Sequence, residues 1–261
     1  MVFSYYRKYM ISPILFSVKD PMMASVIPVW YGSNITVIDK ERIDTSLFDP
    51  GDSFSALNKY LLNHTRCKPE LFVFHGGVMT KDGKAYVFLA NTKTGKSTLT
   101  MFLSQKGWTF INDDYVIISK NNKHVIPDSY PMHLRKGGLD YLKAEGIHLN
   151  NVIYIPYLYN KQEESGKYIV TLKPISYQEL PINGIFMLNR NSEYNGQQRI
   201  VKEPSNLMLK KLLTASLHTY SLQENTVLFV ISLLEWCYSV YYSEATDVIS
   251  LLKVFDSYEN S

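Results

Sequence analysis

The sequence predicts an α/β fold, a mixed sheet with flanking helices, and three observations lead there. Apolar runs with strand character are interspersed with runs of helical period along the chain. A glycine-lysine turn, Gly95-Lys96, joins a strand-like run to a helix-like one. A second strand-like run carrying Asp113-Asp114 follows that helix. Strand, glycine-lysine loop, helix, strand is the order in which backbone amides are brought to bear on phosphate.

The bulk numbers suit such a fold. With 261 residues, 46% hydrophobic and 13% aromatic, the chain can bury a substantial core. No repeat, low-complexity tract or Pro/Ser-rich linker divides it. We expect a β-rich N-terminal segment over residues 1–70, packed on the core, and a main domain over 71–261 as one compact unit. The net charge of +3 provides no broad basic field, which argues against a nucleic-acid partner. Cys67 and Cys237 have neither zinc spacing nor the density of a disulfide framework. The N-terminal apolar stretch is short, contains Pro13 and has no cleavage-site pattern, and Thr226 to Trp236 is shorter than the ~20 residues that span a bilayer. A cytoplasmic protein without a membrane role is expected.

In chain order, "ASVIPVWY" and "NITVID" read as short strands, and "DSFSALNKYLLNH" as a helix with Ser53 as its cap. In "ELFVFHGGVMTKDGKAYVFLAN" two apolar runs flank Asp82-Gly83, a tight hairpin signal. After Ser97 the period changes: Leu99, Met101, Phe102 and Leu103 fall mostly on one helical face, and Gly107 is placed to end the helix. "GWTFINDDYVIIS" reads as one strand and "HVIPDSYPMHLRKGGLDYL" as loop-rich. "YIVTLKPISYQEL" and "NGIFMLN" read as strands, "SNLMLKKLLTASLH" and "ENTVLFVISLLEWCYSVYY" as helices.

The stretch "ANTKTGKST" approximates the phosphate-binding pattern G-x-x-x-x-G-K-[ST], with Ala90 in the first glycine position. The loop residues Ala90, Thr92, Lys93, Thr94 and Gly95 would present backbone amides to phosphate oxygens. Lys96 would add a point charge, and Ser97 and Thr98 hydroxyls at the helix start. Ala90 enters the loop from a strand, so a negative φ there would accommodate its methyl group.

Asp113 and Asp114 stand seventeen and eighteen residues after Lys96. Adjacent residues of a strand point to opposite faces, so the two carboxylates take different jobs. One reaches magnesium, directly or through water, and the other accepts a proton from an attacking hydroxyl. His75, followed by Gly76-Gly77, is open to two readings, a core or surface histidine and a member of the site. The glycines suggest close backbone approach.

Taken together, His75, the loop and Asp113-Asp114 resemble the catalytic core of HPr kinase/phosphorylase and its smaller relatives. "HGGVMTKDGKAYVFLANTKTGKSTLTMFLSQKGWTFINDDYVII" follows that family's order without insertion, and the likeness covers about residues 71 to 118. It implies the fold shared by the HPr kinase C-terminal domain and PEP carboxykinase, and ATP and Mg2+ as cofactors. It further implies that Lys96 and its loop bind the β- and γ-phosphates, that Ser97 or Thr98 helps hold the metal with Asp113 supporting the metal or the base, and that His75 orients or charge-balances the carboxylates. Asp114 would be the general base toward a serine, with exchange of the two aspartate roles left open. "LRKGGLDYL" is similar to the family's Arg-Gly stretch, which makes Arg135 the candidate arginine near the phosphates, with Asp128 and Asp140 as weaker acidic candidates. The stretch before His75 is shorter than the family's N-terminal domain, which points away from HPr as acceptor. Short relatives accompany natural-product gene clusters, lasso peptides among them, and phosphorylate a serine of the precursor peptide. The expectation is therefore an ATP-dependent serine kinase of a peptide, with homo-oligomerisation suggested by the family. A kinase of a small hydroxyl-bearing metabolite and a non-catalytic nucleotide-binding regulator are the alternatives.

Overall fold

The computed structural model describes residues 3–7, 14–18, 35–37, 66, 68–91, 94–127, 132–149, 152–155, 167–170, 178–194, 197–217 and 224–259. They divide into two units, one formed by Met1–Pro69 with Pro127–Gln178 and the other by Glu70–Ile126 with Glu179–Ser261.

In the first unit, β1 (Phe3–Arg7) pairs antiparallel with β2 (Ile14–Val18) and β3 (Ile35–Val37). The strand expected in "NITVID" is β3, whereas "ASVIPVWY" and the helix expected with Ser53 at its cap lie outside the described residues.

The second unit opens with β4 (Leu71–Phe74), β5 (Gly76–Lys81) and β6 (Lys84–Leu89), then α1 (Lys96–Ser104), β7 (Thr109–Asn112), β8 (Val116–Ser119) and β9 (His124–Val125). The β5–β6 hairpin turns at Asp82-Gly83, whose φ values of 52° and 75° are the positive pair that a tight primed turn requires. Gly107, φ 89°, follows the C-cap of α1.

The chain then returns to the first unit with β10 (Met132–Leu134), α2 (Lys136–Ala144), β11 (Val152–Ile155) and β12 (Lys167–Val170), the three strands forming an antiparallel sheet. "HVIPDSYPMHLRKGGLDYL" is therefore not mainly loop. Leu139 and Leu142 turn one face of α2 inward, a spacing that two adjacent glycines, Gly137 and Gly138, obscured.

Back in the second unit, β13 (Leu180–Arg190), β14 (Arg199–Val201), α3 (Ser205–Ala215), α4 (Glu224–Ile231), β15 (Cys237–Tyr242) and α5 (Ala245–Glu259) complete the fold. The run expected as one helix from Glu224 onward stops after α4, and Cys237–Tyr242 is a strand. Its Tyr, Val and Tyr-Tyr content favours a pleated, half-buried surface, and no apolar run of that length separates helix from strand by periodicity.

The resulting curled mixed sheet runs β4-β8-β9-β13-β6-β5-β7, with β15 against β13 and β14 against β15. β6, β13 and β15 are adjacent and parallel. Such strands, covered on both faces, carry continuous apolar runs, as "AYVFL" and "IFMLN" do. Phe88, Phe186 and Tyr238 share a rung across these three strands, their rings stacked 5.7 and 5.9 Å apart. Phe255 of α5 meets Phe186 and Tyr238 edge-on, at 5.2 and 4.9 Å, which seats that helix on the sheet. No helix among the described residues is long and apolar enough to cross a membrane.

Candidate functional site

Two interruptions of one antiparallel ladder bring the distant motifs together. β4 pairs with β8 and β5 with β7, and the pairs Phe74↔Val116 and Val78↔Asn112 share one register. Across the gap, Gly76 therefore faces Asp114 and Gly77 faces Asp113. The amide of Gly76 points to the carbonyl of Asp114, 3.4 Å away, while that of His75 leaves the ladder for the carbonyl of Ala215 at 2.8 Å. "GWTFINDDYVIIS" is thus two strands rather than one. Asp114 turns the chain between them at φ 66°, a left-handed conformation that aspartate tolerates better than most residues.

Of the two glycines after His75, Gly76 is required by packing and Gly77 is closely packed. A methyl group on Gly76 would lie 2.6 Å from Leu89 Cδ2 and Val116 Cγ2 and 2.8 Å from the carbonyl of Phe88. One on Gly77 would lie 3.0 Å from Thr100 Cγ2 and 3.5 Å from Asp113 Oδ1. Gly77 thus lets Thr100 of α1 lie close against the sheet, with the Asp113 carboxylate at ordinary contact distance. Asp113 is 1% exposed, and its amide donates to Asn112 Oδ1 at 3.0 Å. Asp114 is only half-buried.

Lys96, the first residue of α1, is 7% exposed and puts Nζ 3.1 Å from His75 Nε2. An ammonium has only donors, so a hydrogen bond in this contact makes Nε2 the acceptor. Lys96 and Thr100 lie four residues apart, on one face of α1, and that face looks onto Gly77 and Asp113. The helix start, the lysine, the histidine and the buried carboxylate therefore occupy one corner of the second unit.

The loop entering that corner follows β6. Ala90 is buried, and the non-glycine residues with positive φ among those described are Asp82, Asp114 and Lys123, so its methyl group meets no backbone strain. Gly95 caps α1 at φ 89°, ψ 15°, a conformation that favours glycine. The Leu99 amide closes the first turn onto its carbonyl at 2.9 Å. Thr94 donates its hydroxyl to the Asn91 carbonyl. Ser97 and Thr98 follow in the first turn, half-buried. Thr92, Lys93 and Asp128 lie outside the described residues.

Arg135 and Asp140 are described within the first unit. Arg135 is the exposed N-cap of α2, and Asp140 sits on that helix's exposed face. Among the described residues no three His, Cys, Asp or Glu side chains cluster to hold a metal ion by themselves. A magnesium ion carried by nucleotide phosphates needs only one or two protein oxygens beside its waters, and the Ser97 hydroxyl and the Asp113–Asp114 carboxylates are hard donors of that type.

One neighbour of the loop escaped sequence reasoning. Arg190 ends β13, the parallel partner of β6, and a methyl group on Gly95 would lie 3.6 Å from its Nη1. Its signal in the sequence is weak, a lone arginine closing an apolar strand.

The fold defined here is mixed α/β with a curled sheet, a strand–loop–helix corner and flanking helices. Compared with known proteins, the chain matches no family model and no curated protein.

Proposed function

We propose that the chain is an ATP- and magnesium-dependent kinase that phosphorylates a serine of a peptide, with the phosphate-binding loop and fold of the HPr kinase catalytic domain. The observation that carries this reading is the contact of Lys96 with His75 at the N-terminus of α1, with Asp113 beside Gly77 and Thr100 one turn along the same helix face. Helix amides and a lysine ammonium favour a polyphosphate there. Ser97 and Asp113 would hold a magnesium ion, which would offset the charge developing on the phosphate oxygens.

In the proposed reaction the serine Oγ attacks the γ-phosphorus in line, the bond from that phosphorus to the oxygen of ADP breaks, and the serine proton passes to Asp114. Half-buried, Asp114 is reachable by an incoming hydroxyl, whereas Asp113 lies deeper and suits a supporting role toward the metal. His75, accepting from Lys96, fixes the lysine's direction. The resemblance over residues 71–118 extends the reading to tailoring of a lasso-type precursor peptide in the cytoplasm, by a homo-oligomer.

The test is phosphate transfer from ATP to a panel of serine peptides and hydroxyl-bearing metabolites. Asp114→Asn should retain nucleotide binding and lose transfer by ~10²–10⁴. Normal transfer by that variant would refute the assigned base, and transfer to metabolites alone would refute the peptide acceptor.

A further inference from the structure

We infer that Arg190 binds the part of the nucleotide that is not transferred, the α- and β-phosphates, and so acts as the clamp on the leaving diphosphate; the inference rests on the kinase reading above. β13, β6 and β5 are neighbours in that order, and the loop rises from the middle strand. His75 and the aspartates flank the loop on the β5 side, where transfer is assigned. Arg190 stands on the opposite flank, at the carboxyl end of β13. In open sheets with parallel strands, ligands sit beyond those carboxyl ends. A phosphate chain lying across the N-terminus of α1 with its terminal phosphate toward Asp114 places its inner phosphates on the Arg190 side.

The guanidinium is already aimed. Its Nε donates to the Ser243 carbonyl at 3.0 Å and its Nη2 to Glu244 Oε2 at 3.3 Å, which fixes the plane of the fork. Nη1 lies on the loop side, 3.6 Å from where a methyl group on Gly95 would stand, so the guanidinium borders the loop backbone at the start of α1. The side chain keeps 42% of its surface exposed, so an anion can reach it. Arginine suits this task because its charge is permanent and its donors are rigidly spaced for phosphate oxygens.

The experiment is calorimetric titration of the full chain with Mg-ATP and with Mg-ADP, on wild type, Arg190→Met, Arg190→Lys and Glu244→Gln. Arg190→Met should weaken both nucleotides alike, by about tenfold or more, with Arg190→Lys in between. Glu244→Gln removes the charge partner of Arg190 while keeping an acceptor oxygen for Nη2 and leaving the guanidinium and its bond to Ser243 in place, so it should bind both nucleotides at least as tightly as wild type. Equal losses in Arg190→Met and Glu244→Gln would assign Arg190 a structural role and overturn the inference. It would also be overturned by unchanged affinities in Arg190→Met, or by a loss confined to ATP. If wild type binds neither nucleotide, the kinase reading itself fails, and this inference with it.

Discussion

Lys96 Nζ and His75 Nε2 stand 3.1 Å apart although twenty-one residues separate them along the chain. The contact, with Nε2 as acceptor, holds the ammonium at the first turn of α1. Lys96→Met keeps most of the side-chain volume and removes the charge. We expect nucleotide affinity to drop by about tenfold or more and transfer to disappear, with little change in melting temperature. Calorimetry and a transfer assay on the same preparation check this, and unaltered transfer would disprove the role of Lys96.

Gly76 and Gly77 should separate folding from function. Gly76→Ala drives a methyl group into two side chains and a backbone carbonyl, and should cost about 1–3 kcal/mol of stability. Gly77→Ala presses on the Thr100 methyl alone, with Asp113 Oδ1 and the Asn112 carbonyl at ordinary contact distances, so its loss of stability should be smaller, and the strain it passes to α1 through Thr100 should make its loss of transfer larger. Denaturant unfolding and transfer rates, measured on both variants, give the comparison. The reverse ordering would remove the packing argument.

Acid should loosen the second unit through Glu203. Burial pushes its carboxyl up, but hydrogen bonds from Lys211, Tyr241 and Ser239, together with the Lys211 charge, outweigh burial and hold it below its ordinary value of 4.5. A carboxyl depressed in the fold contributes stability that is complete above its unfolded value and is lost as pH falls through the folded one. Melting temperatures measured from pH 6 downward should therefore decline below about pH 4.5, and Glu203→Gln should flatten that decline. Asp247 works in the same direction. Burial raises its carboxyl, while amides of Glu244 and Ser243 and the Ser243 hydroxyl lower it further than burial raises it.

Cys237 should be chemically silent in the folded protein. Its thiol is 1% exposed and donates to the Leu233 carbonyl at 3.1 Å, and burial, only partly opposed by the Lys202 charge, pushes its pKa up to about 12. In a Cys67→Ser background, labelling by a maleimide at neutral pH should track unfolding and accelerate steeply in denaturant. Rapid labelling without denaturant would show that β15 opens in the native state.

Much of the corner around α1 is legible in the sequence because its chemistry is local. Gly95, Lys96 and the helical face from Leu99 to Leu103 announce themselves within ten residues, and Asp82-Gly83 specifies its own turn. What stayed hidden depends on pairing over long separations. The break at His75 arises because its amide bonds to Ala215, 140 residues away, and nothing near His75 predicts that. Asp113 and Asp114 sit in an apolar run that looks continuous, and the left-handed turn at Asp114 leaves no mark beyond the residue type. Cys237–Tyr242 was hidden by the helix before it, whose apolar run carries on into the strand without a Gly or Pro to mark the boundary. Arg190 meets Gly95 only because β13 and β6 are parallel neighbours.

The shared register of the interrupted ladder has a genetic consequence. Gly77 and Asp113 are aligned by counting, since β4 with β8 and Val78 with Asn112 keep one register up to the irregularity between Val78 and Met79. Losing or gaining one codon in either half of that pairing would slide the partners past one another and turn side chains to the wrong face, while leaving every motif readable in the text. The exposed turn at Asp82-Gly83 lies outside that count and is the place where length variation should be tolerated.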